Sequence, residues 1–284
     1  MVFMREGAQV FVPDGSPAAP ALRRTTHLGI GAHPDDLEIM AIDGILRCFQ
    51  QPDRAFTGVV LTDGSGSPRE GRYRDCSDAQ MRALRIEEQK KAAVAGAYAA
   101  LLLLDYPSAV VKDQANVGPA ADLLALFEMV HPEVVYTHSL ADHHATHVAT
   151  ALRVIAALRA MPEARRPQHL YGCEVWRDLD WLTDADKVVF DCSAHILLQE
   201  TLLGLFDSQI CGGKRYDLAT MGRRRAHATY LASHGVDTLR GAAFAMDLTP
   251  LIQDPSLDIP AYVRGFIDRF SGEVCAGLTT HAAS

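Results

Sequence analysis

The chain has no Cys-x-x-Cys pair, no apolar run long enough to cross a bilayer and no excess of basic charge, and each absence removes a class of protein. Its six cysteines, Cys48, Cys76, Cys173, Cys192, Cys211 and Cys275, are scattered over 284 residues. Neither a thiolate zinc site nor a dense disulfide framework follows from that spacing, and reduced thiols are expected. The longest uncharged stretch, AAVAGAYAALLLL between Lys91 and Asp105, is too short for a membrane span. The opening MVFMREGAQVFVPDG carries Arg5 and Glu6 and no continuous apolar segment, unlike a secretory signal peptide, so a cytoplasmic location is expected. Twenty-seven basic residues against 35 acidic ones give a net charge of −8. That balance works against a nucleic-acid partner, whose phosphates need clustered Lys and Arg, and leaves small molecules as the expected partners; homo-oligomerisation stays open.

What is present is an ordinary globular composition, 48% hydrophobic and 22% charged, with a length that one α/β domain accommodates. Short apolar runs alternate with amphipathic segments. HLGIGA (27–32) precedes a helical pattern of Leu37, Met40, Ile42, Ile45, Leu46 and Phe49. FTGVVLT (56–62), LLLLD (101–105) and EVVYTH (133–138) are each followed by helix-like stretches, at 77–97, 119–130 and 147–161. Such an order predicts right-handed βαβ units and a Rossmann-like, largely parallel sheet flanked by helices. Strands are also expected at 170–176, 187–193 and 244–248, and helices at 195–206, 216–235 and near 261–270. No linker or repeat divides the chain, so residues 1–284 are read as a single domain with an N-terminal extension at about 1–25. The Gly- and charge-rich DGSGSPREGRYRD (63–75) follows a strand end and is a candidate lid.

Chemistry is expected beyond the carboxyl ends of the strands, and two polar clusters fall there. His33, Pro34, Asp35 and Asp36 follow the first parallel strand, while Asp142, His143, His144 and His147 follow EVVYTH. Gly29 and Gly31 begin a dinucleotide-type G-x-G-x-x-G, but Pro34 stands at the third glycine and two carboxylates that would repel a pyrophosphate come next. A metal site fits better. Strand ends of a parallel sheet face the same way, so Asp36 and His147 can meet, and two imidazoles with one carboxylate are a ligand set of open catalytic zinc sites. Each cluster alone also has a plainer reading: a helix N-cap for HPDD, a solvated loop for the histidines.

GAHPDDLEI after one strand with D-x-H-x-x-H after a later one resembles the LmbE-like/PIG-L family of zinc-dependent N-acetylglucosamine deacetylases. VVLTDG (59–64), Arg85 with Glu88, LYGCEVW (170–176) and FDSQ (206–209) extend the similarity from about residue 27 to about 245. The resemblance implies a metal-dependent deacetylase of an N-acetylglucosamine-type sugar conjugate. It implies His33, Asp36 and His147 as ligands of Zn2+ or another divalent ion, Asp35 as general base, and His144 as the group that meets the oxyanion or the leaving amine. Two positions depart from the family pattern. Thr146 replaces an aspartate before the last histidine, and Asp142 is a candidate to compensate toward His144; Ser108 stands where many members have an aspartate facing the sugar. A rival alignment would pair Asp142 with His143. His138 and His143 are expected as supporting or surface residues, and Arg85 and Glu88 as a pair on a helix surface. Asp63, Arg69, Arg72 and Arg74 sit on the candidate lid, where an arginine could clamp an acidic substrate group. Alternatives are an amidase of a different acyl conjugate and a non-catalytic metal- or sugar-binding protein. A metal-dependent phosphoesterase is weaker, because two-ion sites need more carboxylates.

Overall fold

The computed structural model describes residues 3–282. Among the described residues eight strands form one sheet: β1 (Gln9–Phe11), β2 (His27–Gly31), β3 (Phe56–Thr62), β4 (Ala100–Tyr106), β5 (Val134–His138), β6 (His169–Cys173), β7 (Val188–Asp191) and β8 (Ala242–Asp247), in the spatial order β1-β4-β3-β2-β5-β6-β8-β7. The five central strands, β4 to β6 in that order, are parallel. Their apolar runs are continuous because helices cover both faces. Alternation still assigns sides: Val59, Leu61, Leu102 and Leu104 enter one apolar layer, while Phe56, Val60, Leu101 and Leu103 enter the other. The antiparallel strands are confined to the margins, β1 on β4 and the β7–β8 pair against β6.

Two departures from the sequence expectation concern the ends. The expected N-terminal extension is more than an appendage from residue 9 onward, since β1 edges the sheet and the helix Ala18–Arg23 buries Ala21 and Leu22 in the core. The last helix runs from Ile259 to Ala282, well beyond 261–270. Phe266 is its last buried residue; residues 267–280 are exposed, with Arg269 paired to Asp186 and Phe270 set against Trp181. No helix among the described residues is long and apolar enough to cross a membrane.

Strand order reverses at β2, which has β3 on one side and β5 on the other. Such a switch point opens a crevice beyond the carboxyl ends, where ligands of open α/β sheets bind. Both polar clusters leave the sheet there. The close approach of the helix Ile42–Cys48 to the sheet is made possible by Gly44, where an added Cβ would lie 2.6 Å from Tyr136.

Candidate active site

His33 to Asp36 form the turn between β2 and the short helix Asp36–Met40. Asp35 occupies the N-cap position with φ 93°, a left-handed conformation that costs a non-glycine residue energy. The conformation separates two adjacent carboxylates. Asp36 turns toward the histidines, its Oδ2 accepting the His33 backbone N–H at 2.7 Å, whereas Asp35 turns toward Arg85, whose guanidinium lies 3.2 Å from its Oδ2.

The second cluster arrives from β5 and the following helix, Ala145–Ala160. His147 Nε2 lies 3.2 Å from His33 Nδ1 and 3.4 Å from Asp36 Oδ1, and His33 Nδ1 lies 3.2 Å from Asp36 Oδ2. Bonds of about 2.0–2.1 Å in a tetrahedral zinc site would hold ligand atoms about 3.3 Å apart. Two imidazole nitrogens and a carboxylate, which meets His33 through Oδ2 and His147 through Oδ1, thus come within the spacing that a divalent ion requires. The donor atoms of His33, His144 and His147 also lie within 4.8 Å of one another, as do those of Asp36, His138 and His147.

Hydrogen bonding distinguishes these histidines. His147 Nδ1 faces Asp142 Oδ2 at 3.3 Å, a carboxylate partner that fixes the ring and leaves Nε2 free to ligate. Burial pushes the His147 pKa down to about 4, so it stands neutral, as a ligand must. His138 is fully buried rather than at the surface, stacks on His147 at 3.9 Å and accepts the Ala32 backbone N–H at Nε2. With that lone pair committed, it packs behind His147 and lies 3.3 Å from Asp36 Oδ2. His144 has no partner at Nδ1 among the described residues and stacks against Trp176 with ring centroids 6.2 Å apart. Burial lowers its pKa as well.

Burial alone would raise the Asp36 carboxyl, but the facing His147 and His138 hold it well below its ordinary value. Asp35 goes the other way. Burial outweighs the Arg85 charge, and the neighbouring Asp36 adds repulsion, so its pKa rises to about 7. Two adjacent carboxyls are thus driven in opposite directions, a pattern found where acid–base roles are divided. Beneath them, the Gln89 side chain accepts the Asp35 N–H at 3.0 Å and donates to Glu38 at 2.8 Å. Tyr98 also donates to Glu38 at 2.6 Å.

Several expectations are corrected. Asp142 makes no hydrogen bond to the His144 ring: its carboxylate accepts the His144 and Trp176 backbone N–H groups and faces His147, and its charge favours protonated His144 only against the larger opposing effect of burial. Arg85 and Glu88 are buried and do not pair on a helix surface. Arg85 donates to Ser67 Oγ at 2.6 Å and to the Pro34 carbonyl, while Glu88 accepts the N–H and Oγ–H of Ser208 within FDSQ. The lid arginines face acidic partners, Arg69 with Asp78, Arg72 with Asp207 and Arg74 with Glu70. His143 is exposed, which disfavours the rival alignment.

The cluster opens into a cavity of about 470 Å³. His33, Asp35, Asp36, His144, Thr146 and His147 line its floor together with Ser108. Beside Trp176 of LYGCEVW, its walls include residues the sequence reading did not single out: Lys112 from the helix after β4, and Lys214 and Tyr216. Local pattern carries no signal for Lys112, Lys214 and Tyr216, because they meet only when segments far apart in the chain pack together.

A Rossmann-like sheet thus brings His and Asp donors together at its switch point, with the Asp35 carboxyl beside them. Residues 28–158 match the model of the PIG-L family, described as GlcNAc-PI de-N-acetylase. Solved structures share the fold. A conserved protein, TT1542, from Thermus thermophilus is 20% identical with a TM-score of 0.61, covering 83% of this chain and 98% of its own. The N,N'-diacetylchitobiose deacetylase of Pyrococcus horikoshii is 13% identical with a TM-score of 0.61, covering 83% and 88%. GalB, the 4-carboxy-2-hydroxymuconate hydratase of Pseudomonas putida, is 18% identical with a TM-score of 0.58, covering 79% and 96%. The fold therefore carries more than one chemistry. No curated protein matches the sequence.

Proposed function

We propose that the protein hydrolyses the acetamide of an N-acetylglucosamine-type sugar conjugate, with His33, Asp36 and His147 holding Zn2+ or another divalent ion. The observation that carries this reading is Asp35, a buried carboxyl with a pKa of about 7 that opens into the cavity beside the donors without being one of them. A protein that only bound metal or sugar would have no need of a poised base there. A divalent ion at the site would polarise the amide carbonyl and acidify water.

The chain's own groups supply the remainder. Asp35, held as a carboxylate by Arg85 at 3.2 Å, accepts a proton from the attacking water and becomes the neutral acid; such a base contributes ~10²–10⁴-fold. His144, aimed into the cavity, donates a hydrogen bond to the developing oxyanion or a proton to the departing amine. Trp176, half-buried and stacked on His144, offers a flat apolar wall to the substrate ring. Deacetylases of sugar-type molecules among the structural relatives support this choice of substrate; the hydratase among them is the reason to measure the reaction directly. The test is primary-amine release from a panel of N-acetylglucosamine conjugates by zinc-loaded protein. Release that depends on metal supports the reading, and no release from any conjugate, with metal bound, refutes it.

A further inference from the structure

We propose that Lys112 and Lys214 form an anion-binding subsite in the wall of the cavity, so that the conjugate it accepts carries a carboxylate or phosphate; as a statement about substrate this rests on the hydrolase reading above. The two carboxylates lining the cavity are already engaged, Asp35 by Arg85 and Asp36 by the histidines. Neither lysine takes part in an ion pair among the described residues. Lys112 is exposed, in the last turn of Ser108–Lys112. Lys214 is half-buried and held over the Trp176 ring, 4.9 Å from its centroid, which fixes the ammonium beside the wall offered to the substrate ring. A chain of net charge −8 thus collects uncompensated positive charge inside one cavity, before any divalent cation adds to it. A cleft lined by one sign of charge draws in ligands of the other. The arginines of 69–74 cannot supply this function, because each already has a carboxylate partner.

The subsite is tested by calorimetric titration of zinc-loaded Asp35→Asn protein, which keeps the cavity and does not consume the probe. The probes are 4-carboxyphenyl N-acetyl-β-glucosaminide, its neutral 4-carbamoylphenyl counterpart and N-acetylglucosamine 1-phosphate. At low salt the carboxylate should bind about tenfold or more tightly than the carbamoyl compound, the ratio falling toward unity in about 0.5 M salt. Lys112→Met/Lys214→Met should erase the preference, and Lys112→Arg/Lys214→Arg should retain it, with melting curves confirming that both fold. Whichever of the carboxylate and phosphate probes binds tighter identifies the anion. Equal affinity for the charged and neutral phenyl compounds overturns the proposal, as does no binding of either anion. A preference that survives in the double Met variant also overturns it, since the metal alone would then be capturing the anion. Charge preference without amine release by wild type would refute the deacetylase reading and leave the subsite standing; amine release without charge preference would do the reverse.

Discussion

Replacing Asp35 by Asn tests the division of labour between the two adjacent carboxyls. The change removes the proposed base and preserves its shape. None of the donor contacts of 3.2–3.4 Å among His33, Asp36 and His147 involves Asp35, so metal content should match wild type. Arg85 loses a partner at 3.2 Å but keeps Ser67 Oγ at 2.6 Å and the Pro34 carbonyl. At an effective dielectric of about 20 the lost attraction is about 5 kcal/mol. The raised pKa of about 7 shows that burial more than offsets that attraction. Ionising Asp35 therefore costs the metal-free protein stability as pH rises from its ordinary 3.8 toward 7, because the folded state retains a proton the unfolded state has released. The Asn variant escapes this loss and should be no less stable than wild type above neutral pH. Turnover should fall ~10²–10⁴-fold, or ~3–5 kcal/mol of transition-state stabilisation, and the acid limb of the kcat/KM–pH profile should disappear. Amine release, metal analysis and thermal melting on the same preparations decide the matter. A variant that loses its metal, or keeps more than a tenth of the activity, refutes the assignment of Asp35 as a base separate from the ligands.

His144→Ala should lower kcat ~10²–10³-fold at unchanged metal content; a comparable loss of metal would make His144 a ligand instead. Chelation should abolish turnover and lower the Tm by several degrees relative to protein saturated with zinc at 1,000 times its Kd, where linkage supplies ~4 kcal/mol; an unchanged Tm would mean the donors hold no ion. Burial raises Glu38 from 4.5 to about 8, so the folded state keeps a proton the unfolded state has lost, and stability declines as pH climbs through that window. Glu38→Gln removes this decline, and its Tm advantage over wild type should grow between pH 4.5 and 8, amounting to a few kcal/mol; a constant or shrinking gap would show that Glu38 is ionised when buried.

The order of buried strands and amphipathic helices was legible in the sequence because the parallel core imposes continuous apolar runs, as in FTGVVLT, which matches β3 residue for residue. Helix starts were legible where local chemistry marks them: Ser77 and Gln80 form a reciprocal cap at the head of Asp78–Ala95. The edge strand β1 was not, since three residues paired to β4 carry no periodicity of their own. That Asp36 and His147 can meet was legible because a parallel sheet points its strand ends in one direction, which converts a separation of more than a hundred residues into a meeting place; the full set with His33 came from the family resemblance.

Sequence by itself determined the layered architecture, the crevice and the residue types brought to it, all of which follow from hydrophobic period and chain direction. Tertiary structure alone decided what each polar group does there. It turned Asp142 to His147 and away from the His144 ring, sent Arg85 inward to Asp35 and Glu88 to Ser208, gave the loop arginines acidic partners and left Lys112 and Lys214 unpaired in the cavity wall. Hydrogen bonds and ion pairs are short and directional, so their partners depend on distances of a few ångströms between segments far apart in the chain, which only packing establishes.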